Sequence, residues 1–337
     1  MKKHKVLIKG MLKTPVEKKA QLIREALRLD ELGADVIRVA IEKPASLPVI
    51  PLLKSKVKAG IEADVHFNPE LTLGSIEYGA DIVRFNPRNI TDKKMVKQFI
   101  DAAAAHGTYV RIGVNSGGFK GKFTDKSLAR AMVSEMNKWV SFFEKNRFSK
   151  LYLSFKAQNV MTTILANRMF CEKCSVYPMH LGLTASGPYE EGVIKSALAL
   201  GALFSQGIGG ALRLSLNAPS WEEVRLAKMF LQFMGLGDFG HEIISCPTCS
   251  RTRIDLRSRV EDFKKYMQTN DIKTTDKLSI ALMGCVVNGP GEASQADIGI
   301  AFAEKGGYAV LFKDGKPCGR IKETDYKEEL IRNIKGM

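Results

Sequence analysis

No run of apolar residues in this 337-residue chain is long enough to cross a bilayer; the most apolar stretch, Ile194 to Phe204, gives way to Ser205 and Gln206. Met1 to Lys9 form a basic patch leading into a short apolar run, without the long apolar region or small-residue cleavage site of a signal peptide. A cytoplasmic protein is expected, in a compartment where thiols stay reduced. No G-x-G-x-x-G follows the first predicted strand, which counts against a dinucleotide fold. No RNA-binding signature and no basic helix with interleaved aromatics stands out, so nucleic acid is not an expected partner. Neither a membrane partner, a low-complexity tract nor an internal repeat beyond strand–helix alternation is read.

What is present is an ordinary soluble composition, 45% hydrophobic and 26% charged, with a formal net charge of +15. That charge favours anionic partners such as phosphorylated small molecules or an acidic redox protein, although most basic residues read as a solvated surface. Six cysteines in a reducing compartment point to metal ligands or unpaired thiols and not to a disulfide framework.

Eight short β-rich runs precede residue 220: Val6–Lys9, Val36–Ile41, Ile61–Phe67, Ile82–Asn86, Tyr109–Asn115, Leu151–Phe155, Met179–Leu183 and Leu212–Leu216. Helical spacing separates them, as in Glu17–Leu32 (ended by Gly33), Asp92–His106 (ended by Gly107) and Asp125–Phe143. Strand and helix alternating eight times predict an α/β fold, a closed (β/α)8 TIM barrel, with its chemistry at the C-terminal ends of the strands. Those ends carry Arg38, His66, Arg84 with Asn86, Arg111 with Asn115, Lys156, His180, and Arg213 with Ser215. Burying that much like charge is costly without an anion, so the ring is read as a diphosphate-binding set.

Past Gly235, Gly237 and Gly240 the composition changes, and a boundary is placed at residue 240. Residues 1–240 are read as the substrate-binding barrel. Residues 241–337 are read as a small α/β domain: helix Leu256–Met267, strands Leu278–Met283 and Ile298–Phe302, hairpin strand Ala309–Phe312 and a terminal helix. A Gly-rich link leads there into Cys246-Pro247-Thr248-Cys249, and a third cysteine returns in Gly284-Cys285-Val286-Val287-Asn288-Gly289-Pro290-Gly291-Glu292. A C-x-x-C turn with a distant third thiol suits tetrahedral zinc or a 4Fe–4S cluster. Glu292 stands close enough in sequence to add a weaker, exchangeable carboxylate ligand. Cys171 and Cys174 read as ordinary thiols at a helix end, with a second metal or redox pair as the alternative; Cys318 reads as inert.

The two cysteine segments closely resemble the 4-hydroxy-3-methylbut-2-enyl diphosphate synthase family (IspG, also called GcpE) of the non-mevalonate isoprenoid pathway. The resemblance extends along the barrel through Ile37-Arg38-Val39-Ala40, Ala63-Asp64-Val65-His66-Phe67, Arg111-Ile112-Gly113-Val114-Asn115, His180-Leu181-Gly182 and Arg213-Leu214-Ser215-Leu216. It implies a 4Fe–4S cluster held by Cys246, Cys249, Cys285 and Glu292, and a head-to-tail homodimer. It further implies ring opening and dehydroxylation of 2-C-methyl-D-erythritol 2,4-cyclodiphosphate with two electrons from ferredoxin or flavodoxin.

This chain departs from the family at two places. Where the family reads H-L-G-x-T-E-x-G, with a glutamate taken to act as an acid, Ala185 stands here; Glu190 and Glu191 are the candidate substitute acids. Lys9-Gly10-Met11-Leu12-Lys13-Thr14 replaces a Ser-Met-Thr-Asn-type loop. The reading favoured is the synthase itself, with its acid supplied from elsewhere. The alternatives are a divergent member reducing another phosphorylated or hydroxylated substrate, and a non-catalytic, zinc-stapled protein that binds anions or nucleic acid.

Overall fold

Alternation along the strands decides the architecture of the first unit. The structure, a computed structural model, describes residues 5–66, 68–174, 176–252, 254–270, 278–285, 287–303 and 307–335. Phe67, Val286 and the first residues of the basic N-terminal patch lie outside that set. The chain divides into two compact units, Met1–Gly237 and Asp238–Met337.

The first unit holds β1 (Leu7–Met11), β2 (Val36–Ile41), β3 (Gly60–Val65), β4 (Ile82–Phe85), β5 (Tyr109–Asn115), β6 (Leu151–Lys156), β7 (His180–Leu181) and β8 (Ala211–Leu212). After each comes a helix: α1 (Lys19–Glu31), α2 (Val49–Lys54), α3 (Pro69–Glu77), α4 (Lys93–His106), α5 (Asp125–Lys145), α6 (Val160–Cys171), α7 (Tyr189–Phe204) and α8 (Ser220–Phe233). All strand pairs are parallel, in the order β6-β5-β4-β3-β2-β1-β8-β7, and a bridge from Leu153 to Met179 joins the two ends. This is the nearly closed TIM-like barrel the alternation predicts.

Local signals set the helix ends. Asp92 caps α4 by accepting from the Lys94 N–H, and Gly107 ends it at φ +69. Thr124 and Ser127 form a reciprocal cap on α5. The last two strands are shorter than their apolar runs. At Gly182 the backbone comes so close to the Arg213 carbonyl that a Cβ would stand 2.6 Å from it. Among the described residues no helix is long and apolar enough to cross a membrane.

On β2, β3 and β5, Ile37, Val39, Ile61, Ala63, Val110 and Ile112 are buried, facing the helices. On β4, Phe85 meets Trp139 and Phe143 of α5 with ring centroids 5.0 and 5.6 Å away. The opposite faces of these strands carry Arg38, Glu62, Asp64, Arg84 and Arg111 into the lumen, all buried. Its interior is therefore charged.

The second unit holds β9 (His241–Ser245), α9 (Leu256–Thr269), β10 (Leu278–Met283), α10 (Gly289–Ala293), β11 (Ile298–Phe302), β12 (Tyr308–Lys313), β13 (Lys316–Lys322) and α11 (Tyr326–Lys335). Its sheet runs β13-β12-β11-β10-β9, with β9, β10 and β11 parallel and the β11–β12 and β12–β13 pairs antiparallel. One face packs Ile280, Leu282, Ile300 and Phe302 against Phe263 of α9 and Tyr326 of α11. Two strands escape the sequence reading. The segment read as a Gly-rich link contains β9, and β13 follows a turn at Asp314 and Gly315, both at positive φ.

Candidate active site

Register places the charges of the lumen. Arg38 lies opposite Glu62, and Arg84 opposite Arg111. Glu62, fully buried, accepts from Lys9 Nζ at 2.7 Å and from Arg111 Nε at 2.7 Å, with Arg38 Nε at 3.5 Å. Two residues further along β3, Asp64 receives Arg38 Nη2 at 2.5 Å and Arg84 Nη1 at 3.2 Å. Burial works to raise both carboxyls. Arg111, Lys9 and Arg38 outweigh it at Glu62; Arg38, a His66 hydrogen bond and Arg84 do so at Asp64, so both stay well below the usual range. Glu223, buried on α8, receives Arg213 Nη2 at 3.3 Å and Lys13 Nζ at 2.8 Å.

Beyond these pairs opens a cavity of about 240 Å³, lined by Arg38, Arg84, Arg111, Lys156 and Arg213 together with Asn115, Thr184, Ala185 and Ser215. Among the described residues, Lys9, Arg38, Arg84, Arg111, Lys156 and Arg213, with Lys13 at Glu223, are set against Glu62, Asp64 and Glu223, so the barrel carries an excess of positive charge that an anion would neutralise. Lys156 is the extreme case. It is 6% exposed, has no carboxylate within ion-pair distance among the described residues, and its Nζ lies 3.5 Å from His180 Nε2. Burial, then Arg111, Arg213 and Arg38, push its ammonium well below the ordinary value. His180 is fully buried and is lowered by burial and then by Lys156; among the described residues its Nδ1 has no hydrogen-bond partner.

Of the residues read from sequence, Arg38, Arg84, Arg111, Asn115, Lys156, Arg213 and Ser215 line this cavity. His66 stands at its edge, with Nε2 2.5 Å from Arg84 Nη1 and 3.4 Å from Asp64. Asn86 instead caps its own turn, accepting from the Arg88 N–H at 3.1 Å, and His180 lies beneath Lys156. Glu190 and Glu191 are exposed in the first turn of α7 and do not line the cavity. Sequence reasoning missed Lys9, Glu62, Asp64 and Glu223. The available signal was the spacing of Glu62 and Asp64, two apart on one strand between apolar outward residues.

The cysteines of the second unit meet because β9 and β10 are adjacent and parallel. Ser245 pairs with Leu282, so Cys246 and Cys285 leave the sheet at the same end. Thr248, at φ +67, turns the C-x-x-C loop, and Glu292 lies on α10 in the crossover to β11. Cys246, Cys249, Cys285 and Glu292 line one cavity of about 260 Å³. Among the described residues no three His, Cys, Asp or Glu side chains are gathered to hold a single ion; these four surround a space instead.

Backbone N–H groups serve the sulfurs. Gly284 N–H donates to Cys246 Sγ at 3.4 Å. N–H groups of Asn288, Val287 and Gly289 hold the Cys285 thiol below its ordinary value. Amide donors directed at thiolates are what a sulfur-ligated iron cluster requires, so these residues fit one. The remaining cysteines are unlike them. Burial, with Cys174 nearby, pushes the Cys171 thiol up to about 11, and Cys318 is exposed on β13.

A family profile described as GcpE TIM-barrel domain matches residues 2–228, and one described as GcpE protein C-terminal domain matches residues 242–336. A protein of Caldanaerobacter subterraneus subsp. tengcongensis named 4-hydroxy-3-methylbut-2-en-1-yl diphosphate synthase (flavodoxin) is 39% identical over 335 residues, 98% of this chain and 92% of the relative. A protein of Caldicellulosiruptor saccharolyticus with the same name is 38% identical over 332 residues, 98% of this chain and 93% of that one. Among solved structures, dihydropteroate synthase of Coxiella burnetii superposes with a TM-score of 0.52 at 13% identity, covering 69% of this chain and 94% of its own. That of Yersinia pestis gives 0.51 at 16% identity, covering 68% and 93%. At such identities the likeness is one of fold. With both profiles matched in order and relatives aligned along nearly its whole length, this chain belongs to the GcpE family.

Proposed function

We propose that this chain is an iron–sulfur oxidoreductase that opens and dehydroxylates 2-C-methyl-D-erythritol 2,4-cyclodiphosphate to 4-hydroxy-3-methylbut-2-enyl diphosphate. The single observation that carries this reading is the buried excess of cations around the barrel cavity, which a small diphosphate would neutralise. Residues 1–240 would bind substrate and residues 241–337 would carry the redox group. The relatives' name, with its flavodoxin, supports a flavodoxin-class electron donor, and the net charge of +15 suits docking an acidic carrier. A homodimer belongs to the same reading.

Cys246, Cys249, Cys285 and Glu292 would hold a 4Fe–4S cluster. Such a cluster supplies single electrons and, at a carboxylate-held iron, an exchangeable Lewis-acid corner. The chain's own residues do the rest. Glu62 and Asp64 fix the guanidinium groups of Arg38, Arg84 and Arg111 before substrate arrives, so little side-chain freedom is lost on binding. Arg213 is held in the same way by Glu223, and Asn115 and Ser215 add neutral hydrogen-bonding groups at the rim.

The experiment is an anaerobic preparation of the full chain. We expect about four iron and four sulfide per chain and conversion of the cyclodiphosphate with reduced flavodoxin. A fully loaded protein that yields no open diphosphate would overturn the proposal.

A further inference from the structure

Among the described residues the barrel cavity is lined by no carboxylic acid and no imidazole. The family's glutamate position is Ala185, which contributes only a methyl group. The arginines keep their protons near neutral pH, and the Thr184 and Ser215 hydroxyls and the Asn115 amide do not release theirs there. That leaves one lining side chain able to exchange a proton in the working range, Lys156.

Its surroundings fix when it carries that proton. Facing it are Arg38 on β2, Arg111 on β5, His180 on β7 and Arg213 beyond β8. The anion whose charge acts on it is Glu62 on β3, whose two oxygens already receive Lys9 and Arg111; Asp64 is held by Arg38 and Arg84. A buried ammonium among guanidinium groups, with no carboxylate of its own, holds its proton less firmly. A diphosphate against the same side chain reverses that balance.

We propose, on the basis of the function proposed above, that Lys156 is the catalytic proton donor. It stands neutral beside His180 before substrate binds, takes up a proton as the diphosphate enters, and delivers it to the departing hydroxyl. The stoichiometry requires one such proton. The cyclodiphosphate enters as a dianion and receives two electrons from the flavodoxin-class donor. The carbon–oxygen bond to the ring phosphate breaks, the neighbouring carbon–hydroxyl bond breaks, and a carbon–carbon double bond forms. The hydroxyl leaves as water with the Lys156 proton, the product is a trianion, and Lys156 is neutral again. Leaving unprotonated, the hydroxyl would depart as hydroxide, the conjugate base of an acid with a pKa of about 15.7.

The test uses the full-length, cluster-loaded protein. Each phosphorus of the cyclodiphosphate carries one strongly acidic oxygen, so the ligand does not titrate near neutrality and any proton uptake belongs to the protein. Calorimetry at about pH 8, in buffers of different ionisation enthalpy, is expected to show close to one proton taken up per ligand bound. Lys156→Arg keeps the positive charge and is expected to bind within about tenfold of wild type while taking up close to one proton fewer. Its kcat falls by about 10²–10⁴-fold while KM moves far less. Lys156→Gln loses both uptake and affinity. Cyclodiphosphate binding without proton uptake, or Lys156→Arg turning over at the wild-type kcat, overturns the role of Lys156 and leaves the proposed function standing. A loaded wild type that neither binds nor converts the cyclodiphosphate overturns both.

Discussion

Glu62 receives the Lys9 ammonium at 2.7 Å, and both side chains are sealed from solvent. Lys9 is thereby held at a pKa of about 8, because burial lowers it further than Glu62 raises it. Breaking such a pair from one side leaves a charge with no compensation. Glu62→Gln strands Lys9 and one edge of Arg111, and is expected to cost about 3–5 kcal/mol in chemical denaturation. The double variant Lys9→Met, Glu62→Gln recovers part of that loss. A single-variant cost under about 1 kcal/mol would show that the lumen pairs do not act as a buried network.

The same burial makes the barrel sensitive to acid. His180 and Lys156 both have folded-state values well below their ordinary ones, chiefly from burial. Below the ordinary histidine value, about pH 6.5, the unfolded chain binds a proton at position 180 that the folded chain refuses. Stability is therefore present above that pH and declines as pH falls through it, by up to about 1.4 kcal/mol per pH unit for one such group. Lys156 adds a slope of the same sign at higher pH, below its unfolded value. Denaturation midpoints without added anion are expected to rise from about pH 5.5 to pH 7.5. His180→Gln flattens the rise, and an unchanged slope in that variant would remove His180 as its source.

How much of this is legible without a structure depends on which side of a strand carries the signal. β2 and β5 occupy the ranges their apolar alternation predicts, Val36–Ile41 and Tyr109–Asn115, because their outward faces are continuous rows of β-branched residues. β9 and β13 do not announce themselves. His241–Ser245 is only half-buried, and Lys316–Lys322 is a largely exposed edge strand of lysine, proline and glycine. The guanidinium ring is readable from strand ends, whereas the carboxylates that orient it are not, since Glu62 and Asp64 find their partners from other strands. Glu190 and Glu191 lie close to Ala185 in sequence, but Pro188 begins a new helix and carries them to its exposed first turn.

Ala185 itself offers a direct test. It lines the cavity with φ +45, a left-handed conformation whose cost, about 1–2 kcal/mol, falls on alanine and glutamate alike. Ala185→Glu should therefore fold as wild type does and place a carboxyl where the lining has none. We expect it to raise kcat of the Lys156→Arg variant about tenfold or more, a gain that falls away as pH rises and the new carboxyl loses its proton. An Ala185→Glu, Lys156→Arg double variant no faster than Lys156→Arg alone would mean that this position cannot deliver a proton.

The cluster ligands should be separable from the fold that presents them. A small domain lacking a core of its own unfolds when its metal is removed. Here Phe263, Ile280, Leu282, Ile300, Phe302, Tyr326 and Leu330 form a buried apolar core; Cys246 packs against it, whereas Cys249 and Cys285 are not part of it. Cys285→Ser is accordingly expected to abolish the visible absorbance and the iron content while leaving far-ultraviolet circular dichroism close to wild type. Glu292→Gln replaces a carboxylate on α10 by a neutral group of the same shape, so iron is retained less firmly and turnover falls, with the fold again unchanged. Should Cys285→Ser instead melt the second unit's secondary structure, the cluster and not the apolar core would be what holds that sheet together.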